Sequence, residues 1–92
     1  MQLKVEFLGL ARELAGAADG LVTVGEQATW RDLVRGLASQ YPALVGQVII
    51  PDDYHLSAAY MLNVGGRTVV RDYDAPVQAG QRLLLMFAEA GG

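Results

Sequence analysis

The sequence predicts an α+β roll, with a mixed sheet of about five strands packed on one main helix. Three stretches carry that expectation. Gln2 to Leu8 alternates cleanly, with Leu3, Val5 and Phe7 on one face and Gln2, Lys4 and Glu6 on the other. A single apolar stripe at helical spacing begins after Thr29. Leu83-Leu84-Leu85-Met86-Phe87 is apolar at both parities, which suits a central strand more than an edge.

Taken in order, the alternating first strand ends at Gly9, and Ala11 to Ala15 has helix formers for about one turn before Gly16 stops it. Asp19-Gly20 reads as a turn, followed by a short strand over Leu21-Val22-Thr23-Val24. The first two strands then form an antiparallel pair with a long bend. Thr29 caps the main helix, and Asp32 completes a capping box. Trp30, Leu33, Val34, Leu37, Ala38 and Tyr41 make its stripe, and Pro42 ends it. In the 43–57 stretch, Val48-Ile49-Ile50 either packs under the helix or forms an edge strand, and Pro51 to His55 reads as a loop. Ala58 to Val64 returns to strand character, Gly65-Gly66 turns the chain into Arg67 to Arg71, and Asp72 to Gly80 is a loop. The last strand is Arg82 to Ala88, and a central position pairs it in parallel with the first.

Composition narrows the function classes. A chain of 92 residues is one domain, and a domain of this size buries roughly 60–65% of its unfolded surface. Hydrophobic content of 52% argues against disorder and for apolar surface that meets a partner. There is no cysteine, so disulfides, a thiolate zinc site and a catalytic thiol are excluded. A net charge of −3 with no basic cluster gives little purchase on nucleic acid. No run reaches membrane-spanning length, and the expected setting is the cytoplasm.

Four motifs in order resemble the β-grasp sulfur-carrier family, which includes the small subunit of molybdopterin synthase, the thiamine-pathway carrier and, distantly, ubiquitin. They are Phe7 to Gly16, Asn63-Val64-Gly65-Gly66-Arg67, Asp74 to Leu83, and the closing Gly91-Gly92. The opening is closest to that of the molybdopterin synthase small subunit. The chain differs in carrying Gln81 where an acidic residue is common, and in having no proline between Phe87 and Ala90. The resemblance implies a ubiquitin-like β-grasp domain over residues 1–87 and a flexible tail over 88–92.

It also implies a chemistry. An activating enzyme of the ubiquitin-activating type, using ATP and Mg, adenylates the Gly92 carboxylate. A persulfide donor then converts it to a thiocarboxylate for delivery to an acceptor such as the molybdopterin synthase large subunit. Gly91 passes the partner's narrow channel because it has no Cβ. The chain itself binds no cofactor and no metal. Leu84 and Met86, pointing away from the helix by similarity to ubiquitin, make the partner-binding surface with Ala88, Glu89 and Ala90. The other reading of Leu84 and Met86 is that the 43–57 segment or a second copy covers them.

Other residues are weaker candidates. His55 beside Asp52 and Asp53 has no converging ligand spacing and reads as a solvated loop. Trp30 reads as packing, and Arg12 and Arg67 as solubilising surface charge. Two rival functions stay open. One is a ubiquitin-like modifier whose terminus joins lysines of other proteins. The other is a β-grasp interaction domain with a chemically idle end.

Overall fold

Strict alternation in Gln2–Phe7 makes β1, whose buried Leu3, Val5 and Phe7 all turn to one side. The computed structural model describes residues 1–88. It continues through α1 (Leu10–Ala15), β2 (Asp19–Thr23), α2 (Trp30–Gln40), a short 3-10 turn (Pro42–Leu44), β3 (Ile49–Ile50) and β4 (His55–Leu56). β5 (Tyr60–Val64), β6 (Thr68–Val69) and β7 (Leu83–Phe87) complete it. The main sheet has five strands in the order β2-β1-β7-β5-β6. β7 lies in the middle, parallel to β1 and antiparallel to β5. The expected architecture, one mixed sheet and one main helix, is the one observed.

Helix α2 begins as its sequence dictates. The Asp32 backbone N–H donates to Thr29 Oγ1 at 3.2 Å, and the Thr29 N–H donates to the Asp32 carboxylate at 2.9 Å. That reciprocal pair closes the capping box and satisfies two otherwise free donors. Trp30, Leu33, Val34, Leu37 and Ala38 are all buried against the sheet, and Pro42 opens the 3-10 turn that ends the helix. Gly36 allows the helix close to β2, since a Cβ there would stand 2.6 Å from Val22 Cγ1.

One local expectation needs correction and one is decided. Asp19 and Gly20 are not a turn: they pair with Glu6 and Val5 inside β2. The chain reverses earlier, at Gly16, whose φ of 72° is left-handed. Gly20 is glycine for a packing reason, because a Cβ there would collide with the Tyr41 hydroxyl and stand 2.7–2.8 Å from its ring carbons. Tyr41 in turn packs edge-on against Phe7, with ring centroids 5.0 Å apart. For residues 43–57 the structure decides between the two readings, in favour of packing under the helix. They add no edge strand to the main sheet; β3 and β4 form a separate two-stranded ribbon. Leu44, Val48, Ile49 and Leu56 are buried in the same core as Leu83 and Leu85. The segment therefore plugs the helix side of the domain.

Two hairpin details complete the frame. Gly65 and Gly66, both at positive φ, turn β5 into β6 with the Arg67 N–H bonded to Val64 O. Strand β6 is shorter than its sequence pattern, with Thr68 and Val69 alone in the ladder.

Gly20→Ala forces the Tyr41 ring off Phe7. It should lower stability by about 1–3 kcal/mol, the usual cost of overpacking, as read by urea denaturation. An unchanged midpoint would show that the Tyr41 contact is slack.

Candidate functional site

Central placement gives β7 two different faces. Leu83 and Leu85 are fully buried, while Leu84 and Met86 are half-buried on the opposite side. Register extends that outer face across the sheet: Leu84 lies between Glu6 and Asn63, Met86 opposite Met61, and Asn63 opposite Val69. Leu8 has the same parity as Glu6, donates its N–H to Leu85 O at 3.0 Å, and is 40% exposed. The outer face is thus apolar toward the C-terminal end of β7, where Leu8, Leu84, Met86, Met61 and Val69 gather.

Its other end is charged. Lys4 and Asp19 pair at 3.6 Å, and Arg82 grips Glu6 with two bonds of 2.6 and 3.2 Å. The Arg82 hydrogen bond holds the Glu6 carboxyl below its ordinary value and raises Arg82 in return. Arg82 is exposed and Glu6 half-buried at the surface, so the pair organises the surface more than it stabilises the fold.

The chain leaves β7 at a defined point. Phe87 is 47% exposed and stacks on Tyr60 with centroids 4.7 Å apart, and the Ala88 N–H donates to Ala59 O at 2.8 Å. Ala88 also borders a groove of about 610 Å³, shared with Tyr60, Met61, Val70, Arg71 and Tyr73. Glu89, Ala90, Gly91 and Gly92 lie outside the described residues. The predicted set is therefore placed only in part: Leu84 and Met86 share one face, and Ala88 stands at its exit end.

Several residues of this surface were not singled out from sequence. Leu8 and Met61 needed the register to place them, although the alternation of each strand carries their parity. Phe87 reads as core by alternation, yet it is half-exposed on the Tyr60 ring, beside Gly9. Asn63 is half-buried within the face, and its Oδ1 is enclosed without a hydrogen-bond partner among the described residues.

A second polar cluster ties loops together away from β7. Arg31 bonds Asp74 at 3.0 Å, reaches the Asp53 carbonyl, and lies 5.9 Å from the centre of the Tyr73 ring. His55 Nδ1 meets the Asp53 carboxylate in the β3–β4 turn. Among the described residues, no three His, Cys, Asp or Glu side chains come together to hold a metal ion. No helix among them is long and apolar enough to cross a membrane.

No family model matches the chain, and no curated protein does. Solved structures do. SAMP1 from Haloferax volcanii, a small archaeal modifier protein, superposes with a TM-score of 0.82 over 100% of both chains at 24% identity. The fold is the ubiquitin-like β-grasp. A candidate molybdopterin converting factor subunit 1 from Pyrococcus furiosus shares it, with a TM-score of 0.70, 22% identity and coverage of 91% and 93% of the two chains. So does a chain of the Amycolatopsis orientalis BexX/CysO complex, at a TM-score of 0.71, 19% identity and coverage of 97% and 98%. The motif resemblance to β-grasp carriers and modifiers is therefore a likeness of fold as well.

Three carboxylates are held below their ordinary range and add modestly to the stability of this β-grasp domain. Arg31 lowers Asp74, the Thr29 backbone N–H lowers Asp32, and Arg82 lowers Glu6. Each contributes fully above the ordinary carboxylate range and stops contributing as pH falls through its own lowered value. The melting midpoint should stay level across neutral pH and fall below about pH 4. In Asp32→Asn it should start lower at neutral pH and fall less in acid. A variant whose acid limb matches the parent would show that Asp32 contributes nothing.

Proposed function

We propose that the chain is a sulfur carrier whose C-terminal Gly92 is activated and loaded by partner enzymes. The observation that carries the reading is the coincidence of chain exit and apolar surface. β7 delivers Ala88 beside Leu8, Met86 and Met61, while the charged pairs begin at Glu6, next to Leu84, and run away from the chain exit. A partner that takes the terminus therefore meets that apolar end of the sheet first. The nearness of the fold to a molybdopterin converting factor subunit and to a chain of the BexX/CysO complex supports it.

The chemistry follows from what a carboxylate lacks. It is a poor electrophile, so the activating enzyme joins it to the α-phosphate of ATP and releases pyrophosphate. The outer sulfur of a partner persulfide attacks the resulting carbonyl, and AMP leaves. A thiol of the partner then cleaves the acyl disulfide, which frees the thiocarboxylate. This chain supplies the reacting atom and its placement, and the acid–base groups belong to the partners. Its lack of cysteine leaves no internal thiol to intercept the adenylate. By the opening motif, the acceptor proposed is a molybdopterin synthase large subunit, in the cytoplasm.

A second reading has its own support. The SAMP1 structure belongs to a modifier protein, and a modifier needs the same activated glycine. The two part company after adenylation: a carrier ends in a thiocarboxylate, a modifier in an amide with a lysine.

Adenylation tests what both share. With the host's activating enzyme, ATP–pyrophosphate exchange should depend on the wild-type terminus and fall at least about tenfold in Leu84→Asp, because a carboxylate is forced into an apolar contact. Gly91→Ala should lose exchange by a similar factor while keeping its circular dichroism and melting midpoint. Full exchange in both folded variants would contradict the proposal.

A further inference from the structure

One cation stands beside the chain exit with no carboxylate to meet it. Asn63 pairs with Val69, and the Val70 N–H bond to Leu62 O at 2.9 Å carries that register one step beyond β6. Arg71 comes next, opposite Met61, with the outward parity of Val69. It is exposed, and it forms no ion pair among the described residues. Arg71 and Met61 share the groove of about 610 Å³ whose near end is bordered by Ala58 and Ala88. Tyr60 and Tyr73 give that groove aromatic walls. It therefore combines a narrow, small-residue entrance at the end of β7 with a positive charge on its far side.

We propose that this groove seats the chain's own last four residues, with the Gly92 carboxylate on the Arg71 guanidinium. The bond from the Ala88 N–H to Ala59 O starts that segment at the near end of the groove. Arg71 is two strand spacings across the sheet from β7, about 10 Å. Four residues beyond Ala88 span at most about 14 Å, so the terminus reaches the guanidinium. Ala90, Gly91 and Gly92 have little bulk and fit flat over Met61. Arginine holds a carboxylate through two parallel hydrogen bonds, which suits a chain terminus. The seat belongs to the chain alone; its effect on activation rests on the proposal that Gly92 is adenylated. A seated terminus is withheld from the activating enzyme, and the apparent affinity falls by the fraction that is seated. Met61 belongs both to the groove and to the apolar face opposite Met86. A partner that lands on Met61 and Met86 therefore displaces the tail as it docks, and the terminus comes out where the partner stands.

Nuclear Overhauser contacts in the isotope-labelled full chain test the seat without any enzyme. The Gly91 Hα protons should show contacts to the Met61 methyl and the Tyr73 ring. Those contacts should vanish in Arg71→Glu, which changes an exposed residue and should melt like the parent, and should persist in Arg71→Lys. Glu89 is the competing carboxylate on the same segment, and Glu89→Gln should also keep them. Loss of the contacts in Glu89→Gln would make Glu89 the anchor and overturn the assignment to Gly92. Their absence from the parent, or their survival in Arg71→Glu, would overturn the seat. With the host's activating enzyme, Arg71→Glu should raise kcat/KM for ATP–pyrophosphate exchange about twofold to fivefold, the release of one exposed ion pair. A value no higher than the parent's would overturn the withholding. A parent chain that supports no exchange at all would sink the carrier reading, with the seat still decided by the magnetic resonance contacts.

Discussion

The parallel pairing of β7 with β1 is the constraint on which the rest depends. Val5, Glu6 and Phe7 align with Leu83, Leu84 and Leu85, joining the first strand of the chain to the last. The pairing puts β7 between β1 and β5, so neither of its edges is open. Leu83 and Leu85 then complete the core beneath α2. Among the described residues no element covers the remaining side of β7, and the half-buried Leu84 and Met86 are apolar there all the same. An apolar outer side on a central strand is surface the fold does not need for itself.

The same pairing orients the surface. Because β1 and β7 run in parallel, both end on one side of the sheet, and Leu8 arrives beside Met86. The charged pairs Lys4–Asp19 and Glu6–Arg82 lie on the other side of Leu84, away from the chain exit. Phe87 and Ala88 then fix where the chain departs, through the Tyr60 stack and the bond to Ala59 O. An apolar landing area and a chain exit are therefore held at a set distance by backbone hydrogen bonds.

Much of this is legible in the residues, because periodicity reports burial. The alternation in β1, the stripe and box of α2, and the double parity of β7 each state which side is covered. What sequence hides are contacts between segments distant along the chain. Gly20 looks like a turn residue, and only the approach of Tyr41 shows that it is a strand position emptied for an aromatic ring. The 43–57 stretch shows no period, since its apolar residues plug a core built by others and form only a two-residue ribbon. Leu8 and Met61 belong to the outer apolar face by parity, but no pattern says which strands lie side by side. The unpaired amide of Asn63 is invisible until its neighbours across the sheet are known.

Intact mass of the protein isolated from its native host tests the central claim most directly. A sulfur carrier predicts a population in which one oxygen of the Gly92 carboxylate is replaced by sulfur, reversed to the unmodified mass by alkaline hydrolysis. Conjugates of higher mass, with the terminus joined to lysines of other proteins and no sulfur-bearing form, would contradict it and leave a modifier. A terminus found only as the free carboxylate, in cells engaged in the pathway, would contradict both.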